Sequence, residues 1–223
     1  RDTLQVDHLL TIAKSDAAHT NSGTINVAAD NLVISGNNSS MTNSGNITIA
    51  AASQLEFQSG TTLNHDPSAM LDGGGTLLIT GATLNLNADL DNSLLINSST
   101  LNLNVDLDNS LVPLALSGSS EINGPGTLIN AAGQTLELSN YSLVAAPLVN
   151  YGTLVARYNT EINGALTTAE GSLLQVSAST GTSHGRLTVN SGFTNNGTIE
   201  LTNESGNNYY TYLTVNEGTL INK

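Results

Sequence analysis

Cysteine and tryptophan are absent from this chain, proline occurs four times, and only five of its 223 residues are basic. Without cysteine there are neither disulfides nor thiolate metal sites. Five Lys and Arg against 18 acidic residues give a net charge of −13. That leaves no basic stripe to neutralise phosphates, which excludes nucleic acid as a partner. An anionic membrane surface is excluded for the same reason. No apolar run reaches the ~18 positions a spanning helix needs, so no membrane insertion is predicted.

Charged residues make up only 10% of the chain, yet 39% of it is apolar, which is the opposite of a disordered polar tract. What is abundant is turn chemistry: 21 Gly and, counted along the sequence, 29 Asn. Both residue types suit positions of positive φ, where a chain turns sharply. The tripeptide Gly-Thr-Leu/Ile, usually with Asn just ahead of it, recurs throughout. It reads Asn21-Ser-Gly-Thr-Ile, Pro125-Gly-Thr-Leu, Tyr151-Gly-Thr-Leu, Asn196-Gly-Thr-Ile and Glu217-Gly-Thr-Leu, with Asn43-Ser-Gly-Asn-Ile and Gly74-Gly-Thr-Leu as variants. Each copy follows a polar stretch and opens a short run of alternating apolar residues. A turn and a strand repeated at this spacing predict a solenoid.

Glycines 23, 45, 60, 75, 126, 152, 171, 197 and 218 mark the phase, and the run from 75 to 126 fills at 92 and 109. There Thr83-Leu-Asn-Leu-Asn-Ala-Asp-Leu-Asp-Asn-Ser-Leu94 returns as Thr100-Leu-Asn-Leu-Asn-Val-Asp-Leu-Asp-Asn-Ser-Leu111, a shift of 17 residues. Strand alternation points Leu84, Leu86 and Leu90 one way and Asn85, Asn87, Asp89 and Asp91 the other. The expected fold is therefore all-β: a right-handed parallel β-helix, or β-solenoid, of about ten to eleven coils of ~15–26 residues. Residues 1–223 form one segment of it. The sequence stops within a repeat at Lys223, and solenoids carry polar caps, so an uncapped fragment of a longer protein is expected. Only Asp7 to Ala18 offers a weak helical pattern, and Leu9-Leu-Thr-Ile-Ala13 suits a strand equally well.

The phrases Asn21-Ser-Gly-Thr-Ile-Asn-Val27, Leu148-Val-Asn-Tyr-Gly-Thr-Leu-Val-Ala156 and Gly192-Phe-Thr-Asn-Asn-Gly-Thr-Ile-Glu-Leu201 resemble the repeats of large bacterial surface proteins. These are the β-helical rods of autotransporter passengers, filamentous-haemagglutinin-like exoproteins and giant repeat adhesins. The resemblance implies export and an extracellular or cell-surface location, with a structural or adhesive role and no enzyme activity. It carries over no catalytic or binding residue. Host or cell-surface glycans or proteins are the implied partners. A carbohydrate-active β-helix (a polysaccharide lyase or hydrolase) and a phage or virion fibre are the alternatives.

Candidate chemistry is sparse. Lyases need an acidic cluster beside a basic residue, but Arg1 and Lys223 are terminal and only Lys14, Arg157 and Arg186 lie inside the chain. Ser183-His-Gly-Arg186 has no neighbouring Asp pair, so no catalytic residue is assigned. In register, the duplicated segment would set Asp89 over Asp106 and Asp91 over Asp108, at about 4.8 Å. Such a patch either stays a solvated acidic face or holds a weak Ca²⁺; no other cofactor is expected. Stacked Asn85/Asn102 and Asn87/Asn104 predict amide ladders. His8, His19, His65 and His184 lack ligand spacing and are expected in surface turns. Tyr209, Tyr210 and Tyr212 are the one aromatic concentration, placed either to stack on a sugar or to cover the coil edge.

Overall fold

The computed structural model describes residues 2–178, 184–204, 206 and 208–223. Every regular element among them is a β-strand, and every strand pairing found is parallel. The chain divides into two compact units: one of residues 1–105 with 111–114, the other of residues 106–110 with 115–223.

In the first unit each coil lays one strand on each of three sheets. Thr3–Val6, Thr24–Val27, Asn46–Ile49 and Met70–Asp72 form the first. The second contains Leu10–Ala13, Leu32–Ser35, Gln54–Phe57, Thr76–Thr80 and Ser93–Asn97. Ala18–Asn21, Ser39–Asn43, Thr61–His65, Thr83–Leu86 and Thr100–Leu103 form the third. The weak helical pattern near residue 10 is thus a strand; Leu10 pairs with Leu32 and Ile12 with Ile34.

The second unit repeats the plan. Its first sheet contains Leu107–Asp108, Leu128–Asn130, Leu148–Asn150, Leu166–Thr168, Phe193–Asn195 and Leu220–Asn222. Thr135–Leu138, Thr153–Arg157, Leu173–Ala178 and Thr198–Asn203 form its second. Its third holds Glu121–Asn123, Leu143–Val144, Asn159–Ile162, Gly185–Val189 and Thr211–Val215.

Period-two alternation explains the core. In Thr24–Val27, Gln54–Phe57 and Thr83–Leu86, alternate side chains are buried and the others face outward. Leu84, Leu86 and Leu90 are buried, while Asp89 and Asp91 are exposed. The 17-residue shift is a true register: Thr83 pairs with Thr100, Asn85 with Asn102, and Thr76 with Ser93.

Two expectations need correction. The strands stack into about nine turns rather than ten to eleven. The excess arose because Gly-Thr-Leu marks the start of a strand, not one fixed corner. Gly23 and Gly45 precede first-sheet strands, Gly75 precedes a second-sheet strand, and Gly60 precedes a third-sheet strand of the coil that Gly45 had opened. The 17-residue alignment also slips at residues 109–113. Leu94 donates its N–H to the Pro113 carbonyl, and Leu111, the counterpart of buried Leu94, is 73% exposed.

The motif glycines are chosen for closeness rather than φ. A Cβ on Gly45 would lie 2.2 Å from the Gly23 carbonyl oxygen, and one on Gly152 2.3 Å from the carbonyl oxygens of Ala131 and Gln134. Asparagine takes positive φ only at Asn38 and Asn140 among the described residues. The asparagines beside the motif have a different task.

Candidate functional site

Asn21, Asn43, Asn130, Asn150 and Asn195, beside copies of the motif, are buried in the core and bond from coil to coil. In the first unit Asn21, Asn43 and His65 are register partners. Asn21 Nδ2 donates to Asn43 Oδ1 at 2.8 Å, and Asn43 Nδ2 reaches His65 Nδ1 at 3.2 Å and the Met70 carbonyl at 3.3 Å. In the second unit Asn109 Nδ2 donates to Asn130 Oδ1 at 2.7 Å, and Asn130 Nδ2 to Asn150 Oδ1 at 2.6 Å. Thr168 replaces Asn at the next step; its hydroxyl donates to Asn195 Oδ1, and Asn195 Nδ2 donates to Asn222 Oδ1, both at 2.8 Å. Asn21, Asn43, Asn130 and Asn195 each spend one N–H on the ladder and the other on a main-chain carbonyl at the turn, as Asn130 does on Thr153. A buried amide is tolerated because its donors and acceptor are matched.

The outward amide ladder is present as expected. Asn102 Nδ2 donates to Asn85 Oδ1 and Asn85 Nδ2 to Asn64 Oδ1, each at 2.6 Å, and Asn104 donates to Asn87 at 2.8 Å.

His65 corrects the expectation of surface histidines, for it is fully buried and stands where its neighbours have Asn. His19 is half-buried within a strand. Because both Asn43 Nδ2 protons are used, His65 Nδ1 accepts and the proton sits on Nε2. Burial lowers the His65 pKa, against opposing pulls from the Asp89 main-chain carbonyl and the Asp66 carboxylate. The folded state therefore binds its proton less readily than the unfolded chain. Stability is full above the unfolded value of 6.5 and is lost as pH falls from there through the lowered folded value. Urea titrations from pH 8 to 5 should show this loss, with a slope of at most about 1.4 kcal/mol per pH unit. The variant His65→Asn, which restores the amide, should flatten that slope; an unchanged slope would clear His65 of the effect.

The four aspartates divide between the two units. Asp89 and Asp91 lie in the first unit and line a depression with Asp72. Asp106 and Asp108 lie in the second, where Asp106 Oδ1 accepts the Thr127 N–H at 2.7 Å and Asp108 Oδ1 the Ser110 N–H at 2.8 Å. Among the described residues no three His, Cys, Asp or Glu side chains converge to hold a metal.

Arg157 is a structural cation of the second unit. It meets Glu204 at 2.8 Å, Glu137 at 3.3 Å and the Ser177 hydroxyl at 3.1 Å, tying successive coils together. Burial by itself would lower its pKa, but Glu204 and Glu137 outweigh this and raise it.

The tyrosines do gather, and around a residue that sequence reasoning set aside. Ser183 lies outside the described residues, but His184 stacks on Tyr210 with ring centroids 5.5 Å apart and 14° between planes. It meets Tyr209 and Tyr212 edge-on, and its Nδ1 accepts the Tyr210 N–H at 2.9 Å. The Arg186 guanidinium lies over the Tyr212 ring, 4.8 Å from its centroid. Tyr210 and Tyr212 stay exposed. Arg186 and Tyr212 were separable in the sequence by 26 residues of unequal coil; only the register Arg186–Tyr212 unites them. No family model, curated protein or solved structure matches this chain.

Proposed function

We propose that this chain is a structural and adhesive β-solenoid segment of a secreted or cell-surface bacterial protein, and that it is not an enzyme. The observation that carries this reading is the coil-to-coil amide ladder. Stacked, mutually bonded coils resist separation along their length while leaving every outward position free to vary. That suits a scaffold which spaces or displays binding surfaces. The repeat resemblance to autotransporter-like and filamentous-haemagglutinin-like rods supports the same reading. So does the use of the cations: Arg157 is spent on ion pairs with Glu137 and Glu204 that tie coils together, and Arg186 lies over the Tyr212 ring.

Two measurements test it. Intact source cells, or their culture medium, should carry the chain where antibody and added protease reach it. Incubation with pectin, alginate and other uronates should release no unsaturated products or reducing ends. Confinement to the cytosol, or robust turnover of any of these polymers, would overturn the proposal.

A further inference from the structure

The third sheet of the second unit presents an outward column whose chemistry is unlike the Asn and Thr faces elsewhere. Asn159, Arg186 and Tyr212 are register partners on adjacent strands. Tyr141 stands beyond Asn159, and both line one groove of about 220 Å³ with Glu161, Arg186 and Thr188. Successive strands lie about 4.8 Å apart, so the column runs roughly 14 Å from one tyrosine to the other. An aromatic ring stands at each end, with an amide and a guanidinium between them and a carboxylate alongside.

The tyrosines are held outward by the fold. Tyr141 is 64% exposed and has φ of 68°, a left-handed conformation costly for a bulky residue, following Asn140 at φ 53°. Strain of this kind persists where surrounding structure enforces it and points to a function for the side chain. At the other end Tyr212 is backed by the Arg186 guanidinium, while His184 stacks on Tyr210 and fixes its ring. Flat apolar faces with fixed planes meet the CH-bearing faces of pyranose rings. Arg186 donates and Glu161 accepts, which matches the hydroxyl rim of the same rings. One cation balanced by one carboxylate, on a chain of net charge −13, disfavours polyanions.

We propose that the column Tyr141–Asn159–Arg186–Tyr212, with Glu161, is a binding site for a neutral pyranose oligosaccharide. The proposal rests on the adhesive half of the functional reading and names its ligand class. Its test uses purified protein, so it can fail while surface display stands, and the reverse.

Cellohexaose, chitohexaose and maltohexaose are titrated against the protein to about 10 mM, beyond the millimolar Kd expected of an open groove. At least one should bind, and Tyr212→Ala and Arg186→Ala should each weaken it by about tenfold or more. Melting curves confirm that both variants fold, and Tyr151→Ala, which changes an exposed tyrosine outside the column, should bind as the unaltered chain does. The proposal fails if none of the three hexaoses binds, if both column variants bind undiminished, or if a heparin oligosaccharide binds more tightly than every neutral one.

Discussion

Replacing Asn130 with alanine should destabilise the second unit by on the order of 4 kcal/mol, since three buried groups lose their partner at 1–3 kcal/mol each. The Asn109 amide would lose its acceptor, Asn150 Oδ1 its donor, and the Thr153 carbonyl the second N–H of Asn130. Asn130, Asn150 and Thr168 are fully buried, so water does not substitute at the site. For a chain of this size the melting temperature should fall by roughly 10 °C. Asn104→Ala removes one bond of the outward ladder, to Asn87, where solvent replaces it. Its cost should stay under about 1 kcal/mol. Equal losses for the two variants in denaturant titrations would mean that the buried ladder has no special weight. Asn130→Asp adds a sign test: a buried carboxylate facing the Asn150 and Thr153 oxygens must be protonated to donate, so this variant should gain stability as pH falls.

Gly45→Ala should cost about 3 kcal/mol or more, at the upper end for overpacked sites. Its new methyl would sit 2.2 Å from the Gly23 carbonyl oxygen, 2.9 Å from the Ser22 carbonyl carbon and 3.0 Å from the Gly23 nitrogen. All three are backbone atoms of the coil below, so relief requires prising two coils apart and stretching their ladder. Gly133 separates this effect from backbone conformation. It has φ of 79° with nothing within 4 Å of a built Cβ. There alanine meets only the left-handed penalty, about 1–2 kcal/mol, and asparagine should be tolerated nearly as well as glycine. If Gly133→Ala proves as damaging as Gly45→Ala, contact between coils is not what selects the motif glycine.

Much of this was readable from the residues, and what escaped has physical causes. Leu84, Leu86 and Leu90 against Asn85, Asn87 and Asp89 announce a half-buried strand, because side chains alternate with a period of two. The 17-residue duplication announces its own register, which the pairing of Thr83 with Thr100 bears out. The coil count went astray because one tripeptide serves several corners. The inward ladder was visible as Asn beside several copies of the motif, yet Asn is as well suited to a turn as to an amide stack, and only burial separates the two uses. His65 was harder still. Nothing around it in sequence marks it as an Asn substitute; the equivalence with Asn43 exists only in the register. The sugar-facing column has the same character. Tyr209, Tyr210 and Tyr212 are conspicuous as a cluster, but Tyr141, Asn159 and Arg186 come from three further coils of unequal length. Their alignment is a product of stacking, which no local pattern records.

The ladder and the groove exist only if coils stack in parallel and in register, and a cysteine-free chain allows a clean test of that. Paired substitutions Asn85→Cys with Asn102→Cys place thiols on register partners, about 4.8 Å apart along the stack. Asn85→Cys with Asn104→Cys displaces one thiol two residues along the neighbouring strand, adding roughly 6–7 Å in that direction. A short thiol–thiol crosslinker applied to the folded protein should join the first pair rapidly and the second far more slowly, with the difference lost in urea. Preferential joining of residues 85 and 104, or equal rates for both pairs in the folded protein, would contradict the stacking on which the ladder, the groove and the proposed function all stand.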